Sequence, residues 1–229
     1  MNSSLLRRAV TAAIALVAIT TLGACAAGGT VTSSVRVGWS GEIPSLDPAA
    51  SSSFASFVFL TQLYPSLLVV DPERPDPALE IAESAEWTAP GVYTVVLKPR
   101  LEFANGDDLT ASDVKFSLER QLALQPADGA WRGLSNLESI EIIDDTTIQF
   151  HLGSEIDTGF PFVLAGPAGL VLDEESFFAD ELTPDDDILD AQPFGGPYAL
   201  ESSGSGELTL TPYGGFGGAT LAASTIELH

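Results

Sequence analysis

Residues 93–122 change hydrophobic period partway along, and no all-α or all-β fold accommodates both halves. Tyr93, Val95 and Leu97 alternate with Thr94, Val96 and Lys98, the period of two of a strand with one buried face. Val114, Leu118 and Leu122 then recur at i, i+4 and i+8, the apolar stripe of an amphipathic helix. Between them Asn105-Gly106 signals a turn, because both residues tolerate positive φ. Thr110, Ala111, Ser112 and Asp113 have the form of a helix N-cap box: Thr110 caps, and Asp113 sits near the positive end of the helix dipole. Strands and helices intermix along the chain, so the fold class is α/β, in the sense of mixed α and β.

The rest of the chain agrees with that class and shows no internal repeat. Residues 35–39 alternate as a first strand, and residues 41–48 form a loop in which Pro44 and Pro48 forbid regular structure. Residues 53–70 are an apolar stretch that reads as a buried helix running into a strand, followed by a proline-punctuated loop over 71–77. Residues 139–152 read as a β-hairpin, with Ile148, Phe150 and Leu152 on one face and Thr147, Gln149 and His151 on the other. Residues 160–172 are expected to be buried strand and loop, and the acidic residues 173–190 to be surface. Residues 195–200 and 207–211 read as short strands around a Ser/Gly turn, and a Gly-rich loop leads on to residues 224–229.

The N-terminus sets the compartment. Arg7 and Arg8 precede an uncharged apolar run over 9–24, the layout of a secretory signal. The run is shorter than the roughly 20 apolar residues of a spanning helix. It closes on Leu22, Gly23, Ala24 and Cys25, which resembles the bacterial lipobox, and Cys25 is the single Cys of the chain. A plain signal peptide with a chance Cys is the bland alternative; position, context and uniqueness together favour lipid attachment at Cys25. A buried acyl chain contributes about 0.8 kcal/mol per CH₂, so stable anchoring calls for more than one chain. The expected organisation is a lipoprotein signal peptide over 1–24, a flexible tether over 25–34 and a folded body over 35–229.

Charge and composition narrow the function. The 229 residues carry 32 Asp+Glu against 9 Lys+Arg, a formal charge of −23. That excludes a general footprint for nucleic acid. One Cys forms no internal disulfide and no Cys-based metal site. Of the two His, His151 falls on the polar face of a strand, where a solvated histidine is expected, and His229 is the last residue. Asp185, Asp186 and Asp187 lack the alternating ligands and Gly turn of a Ca²⁺ loop and are expected to be a solvated acidic loop. No G-x-S-x-G elbow, Walker A lysine or G-x-G-x-x-G after a strand occurs, and the glycines at 214, 215, 217 and 218 precede no helix signal. The expectation is no catalytic residue, no metal and no cofactor. With a signal and an anchor, this points to binding rather than catalysis.

Residues 82–120 also resemble, as a unit, the signature region of the family 5 extracellular solute-binding proteins of ABC importers. The residues that carry the likeness are Ala82, Glu83 and Ser84 before Trp87; Tyr93, Thr94, Leu97 and Lys98; Phe103 and Gly106; and Leu109, Thr110, Ala111, Asp113, Val114, Phe116, Ser117 and Arg120. Ser45, Leu46, Asp47 and Pro48 resemble the family's loop after its first strand, residues 140–152 its strand pair, and Gly196, Pro197, Tyr198 and Leu200 its return strand. Residues 212–223 depart from the family pattern. The resemblance implies a two-lobed periplasmic-binding-protein type II fold that closes on a solute and delivers it to membrane permease subunits. The implied place is the outer face of the cytoplasmic membrane, reached through the lipid anchor. A peptide is the first expected ligand; nickel, a sugar or another solute is the alternative. An envelope lipoprotein with a structural or interaction role is a further reading, and a hydrolase the remotest. The family is longer than this chain, so residues 35–229 are expected to be most of lobe I, with the second lobe missing. By resemblance, Ser40, Gly41, Glu42 and Ile43 approach the ligand, their backbone groups pairing with an extended peptide. The Glu42 side chain is either part of that site or a solvated loop acid. Trp131 is either a cleft-lining residue or a partly buried structural tryptophan.

Overall fold

The alternating and helical segments become ordered elements in a computed structural model that describes residues 34–38, 45–50, 53–125, 130–204, 207–216 and 223–228. In chain order these are β1 (Ser34–Val37), α1 (Phe54–Leu63), β2 (Leu68–Val69), β3 (Ala78–Leu79), β4 (Ala82–Ala89), β5 (Val92–Leu97) and α2 (Ala111–Leu124). Then follow β6 (Leu137–Asp144), β7 (Thr147–Leu152), α3 (Phe160–Leu164), α4 (Asp185–Ala191), β8 (Tyr198–Gly204), β9 (Glu207–Pro212) and β10 (Thr225–Leu228). Single 3₁₀ turns occupy Pro48–Ala50, Ala130–Leu134 and Pro167–Gly169. The expected signal peptide, Cys25 and most of the expected tether lie outside the described residues.

One antiparallel sheet of four strands has the order β4-β5-β7-β6. Its register sets Tyr93 opposite Phe150 and Phe150 opposite Ile140, and Val95 opposite Ile148. The residues of the expected apolar faces therefore stack in rows across the sheet and bury against α2 and α3. Phe160 closes that core, with its ring centroid 5.9 Å from Tyr93 and 5.5 Å from Phe150, both edge-on. A second four-stranded sheet has the order β1-β10-β9-β8, with β1 and β10 parallel and the other pairs antiparallel. Leu200, Leu208 and Leu210 from this sheet pack with Phe59, Leu60, Leu63 and Tyr64 of α1 and its C-cap, together with Phe194 and Tyr198, in a second core.

α2 follows its expected start. Thr110 Oγ1 accepts from the Ser112 N–H at 3.2 Å, and Asp113 Oδ2 accepts from the Thr110 N–H at 2.8 Å, completing the reciprocal box. Thr110→Ala is expected to lower the unfolding free energy by about 1 kcal/mol. A shift of the urea midpoint at unchanged slope measures it, and an unchanged midpoint would show that the cap is not contributing. The Asn105-Gly106 turn forms with only Gly106 at positive φ, 97°. Asn105 instead accepts from the Asp107 N–H at 3.1 Å through its side-chain oxygen.

Three expectations are corrected. Residues 160–172 are not strand: they form α3 and a 3₁₀ turn, each with a proline in its first turn, where the missing N–H costs nothing. Residues 173–190 are not wholly surface, since Asp173, Phe177, Thr183 and Ile188 are buried. Asp185, Asp186 and Asp187 are the first turn of α4, where carboxylates meet the positive end of the helix dipole, rather than a solvated loop.

Candidate functional site

Ser40, Gly41, Glu42 and Ile43 lie outside the described residues. Trp131 lies within them, on the 3₁₀ turn that carries the chain from α2 to β6. Its ring is half-buried, and the Arg132 guanidinium carbon sits 5.2 Å from the ring centroid. The turn is held from below by Leu134, which is buried in the first core, and from the side by Val163 of α3, which packs within 3.1 Å of where a Gly133 Cβ would be. Trp131 is thus carried on a packed turn and is itself partly buried. His151 is half-exposed on the outer face of the first sheet, its Nε2 3.3 Å from Glu141 Oε2 of β6.

The best-organised polar cluster begins at Ser45. Ser45 Oγ and the Leu46 N–H both donate to Asp185 Oδ1, at 2.8 and 2.9 Å. Asp47 then enters the interior. Arg120 Nη1 donates to Asp47 Oδ1 at 2.9 Å and Nη2 to Oδ2 at 2.6 Å, a bidentate fork with both side chains at most 1% exposed. The Ala49 and Thr183 N–H groups donate to the same carboxylate, at 2.9 and 2.8 Å. Arg120 also donates from Nε to the Phe178 carbonyl and from Nη2 to the Glu181 carbonyl, and its guanidinium lies 5.5 Å from the Phe177 ring centroid. The Tyr64 hydroxyl donates to the Leu46 carbonyl at 2.9 Å. Burial, and secondarily the Asp47 and Asp185 charges, hold that phenol well above its ordinary range, so it remains a donor. Residues 45–50 are therefore anchored by α1, α2 and residues 177–185.

A second polar cluster gathers Asp113, Glu174 and Glu175, whose carboxylate oxygens lie within 4.8 Å of one another. Asp113 is already committed to the structure: Thr110 N–H and Oγ1 donate to Oδ2, and the Glu174 N–H donates to Oδ1 at 3.0 Å. Burial pushes its carboxyl above the usual range despite those donors. Glu175 is pushed up to about 6, first by the hydrogen bond it shares with the Asp173 carboxylate and then by burial. The geometry is that of a capped helix start beside an acidic turn.

In the sequence Asp47 and Arg120 stand out only as motif positions, and nothing local pairs them. Asp113, Ser117 and Arg120 lie at helical spacing beside the apolar stripe of α2, and all three are buried. In sequence such a stripe looks like a solvated face. Its one visible signal is that the polar stripe adjoins the apolar one instead of opposing it.

A sequence model of the bacterial extracellular solute-binding proteins, family 5 Middle, matches residues 76–218. The dipeptide-binding protein of Lactococcus lactis subsp. cremoris (strain MG1363) is 28% identical over 149 residues, which are 58% of this chain and 27% of that protein. Among solved structures, Listeria monocytogenes OppA bound to peptide matches with a TM-score of 0.73 at 18% identity, over 87% of this chain and 43% of that one. MoaA from A. tumefaciens R10, in complex with mannopinic acid, matches with a TM-score of 0.71 at 21% identity, over 86% of this chain and 41% of that one. The chain therefore spans less than half the length of each of these relatives. At these identities the structural likeness is one of fold, and the fold is that of the type II periplasmic binding proteins.

Proposed function

The chain belongs to the bacterial extracellular solute-binding proteins of family 5, and we propose that it serves peptide import, as the substrate-binding component that hands its solute to an ABC permease. The carrying observation is the family match over residues 76–218, which runs from β3 and β4 through α2 to β9 and so spans parts of both sheets. A dipeptide-binding relative and a peptide-bound structure of the same fold support a peptide as the solute. The mannopinic acid complex favours a second reading, a non-peptide solute held by the same fold. Capture by closure belongs to the two-lobed protein. A ligand that bridges both lobes only in the closed state shifts the equilibrium towards it.

In this proposal Ser40, Gly41, Glu42 and Ile43 offer backbone groups to an extended peptide, and Trp131 offers a ring face. Residues 1–24 direct export and Cys25 carries the lipid that holds the protein at the outer face of the membrane. Cys25→Ser is expected to release the protein from washed membranes into the soluble fraction, and continued retention would count against lipidation. The ligand is tested by thermal unfolding of the protein against di-, tri- and oligopeptides, mannopinic acid, glucose and Ni²⁺. A true ligand at a hundred times its Kd stabilises by about 2.7 kcal/mol. Stabilisation by a non-peptide, with none by any peptide, would overturn the peptide reading.

A further inference from the structure

Two chain segments cross from one hydrophobic core to the other. Tyr64, Leu170 and Leu172 belong to the second core, whereas Leu67, Leu68 and Val171 belong to the first. The segments touch at the crossing, where Ser66 forms an isolated antiparallel bridge with Leu170 and the Val171 N–H donates to the Pro65 carbonyl at 2.8 Å. Ser66 is buried, and its own N–H donates to a side chain, Glu80 Oε2, at 2.6 Å. Glu80 lies just beyond β3, and its backbone is tied to the same place: its N–H donates to the Leu67 carbonyl at 3.1 Å, and the Ile81 N–H donates to the Ser66 carbonyl at 3.2 Å. Among the described residues, no hydrogen bond reaches the other carboxyl oxygen of Glu80.

We propose that Glu80 is a proton-operated clasp on the crossing between the two cores, tight when the carboxyl is protonated and looser when it is ionised. A carboxylic acid keeps a carbonyl oxygen for the Ser66 N–H and leaves no charge in a half-buried position. A carboxylate keeps the same hydrogen bond but must be held there with a single donor. The surroundings favour the acid. Residues 65–68, 78–79 and 170–172 are Pro, Ser, Leu, Ala and Val, without a charged side chain. The Ser66 N–H hydrogen bond, and after it the Lys98 ammonium just beyond β5, favour the carboxylate, and together they offset burial only in part. The balance raises the Glu80 carboxyl from 4.5 to about 7. The clasp contributes its full stability below the unfolded value of 4.5 and loses it progressively as pH rises through about 7. A shift of this size corresponds to a change on the order of a hundredfold in a local opening equilibrium that releases Glu80 to water.

Hydrogen exchange tests this on the intact chain. The Ser66 amide is followed from pH 5 to 8.5, each rate divided by its intrinsic rate at that pH, with Val95 in the centre of the first sheet as internal reference. In the wild type, Ser66 protection relative to Val95 is expected to fall at least about tenfold across the range. In Glu80→Gln, whose amide oxygen accepts from Ser66 without titrating, it is expected to stay flat. The same slope in both proteins, or no slope in the wild type, would overturn the proposal. If Glu80→Gln does not fold, the ¹³C shift of the Glu80 carboxyl in the wild type decides: a midpoint near 7 supports the clasp and one near 4.5 overturns it.

Discussion

Arg120→Ala is expected to lower the unfolding free energy by about 3–5 kcal/mol, the range for removing one partner of a buried ion pair. The Asp47 and Arg120 side chains are essentially inaccessible to water. Without the guanidinium, the Asp47 carboxylate keeps the Ala49 and Thr183 N–H donors but loses its counter-charge in a low-dielectric site. The Phe178 and Glu181 carbonyls lose their donors in the same step. The loss is comparable to the whole stability of many domains, about 5–15 kcal/mol, so a sizeable unfolded fraction at 37 °C is part of the expectation. Arg120→Lys keeps a charge but not the fork, and should fall between wild type and Ala. Asp47→Leu combined with Arg120→Met removes both charges together, and should cost clearly less than the sum of the two single losses, because no unpaired charge remains. Urea unfolding of Arg120→Ala, Arg120→Lys, the single variants Asp47→Leu and Arg120→Met, and their double variant measures this. A loss below about 1 kcal/mol for Arg120→Ala, or strict additivity in the double variant, would show that the pair is a minor contributor.

The same pair shows where sequence reading works and where it stops. The strand at β5, the box at Thr110 and Asp113, the helix α2 and the hairpin of β6 and β7 were legible because each is specified by neighbours along the chain. β4 was legible only as a motif. Its sequence of alanines and acids has weak strand propensity, and it is ordered as an edge strand by pairing with β5 through two irregularities of register. The apolar run at 160–172 fits a buried strand or a buried helix equally by pattern, and Pro161 and Pro167 decide for helical turns. Asp47 and Arg120 lie 73 positions apart, so only the fold brings them together. Acidity misled in the same way at Asp173, which reads as surface in a chain of charge −23. It is buried because Asn105 Nδ2 and Ser176 Oγ both donate to its Oδ2. Of the ligand-facing candidates, Trp131 is the one that the described residues contain. The family-level reading came from the long motif over 82–120, since no local chemistry in the chain marks a ligand.

Gly196→Ala tests the separate Gly-Pro-Tyr motif over 196–198, which joins α1 to the second sheet. A Cβ on Gly196 would lie 2.6 Å from the Leu63 carbonyl carbon and 2.8 Å from both the Gln62 and Leu63 oxygens. All of these are backbone atoms at the end of α1, so no side chain can swing aside to make room. The close approach is itself bonded: the Gly195 and Gly196 N–H groups both donate to the Leu63 carbonyl, at 3.1 and 2.8 Å. Backing away to relieve the contact would break those bonds. It would also pull at Phe194 and Tyr198, which lie on either side of the glycines and are both buried in the second core with Leu63 and Tyr64. Overpacking of a tight site costs about 1–3 kcal/mol, and each weakened hydrogen bond adds about 1 kcal/mol. The expected loss for Gly196→Ala is therefore about 2–4 kcal/mol. Gly214→Ala is the matched control. Nothing lies within 4 Å of a Cβ there, and the change should stay within about 0.5 kcal/mol of wild type. Equal losses at the two positions would mean that the glycine is not required by the approach of α1. A large difference would tie the Gly-Pro-Tyr motif to a backbone contact that holds the second core together.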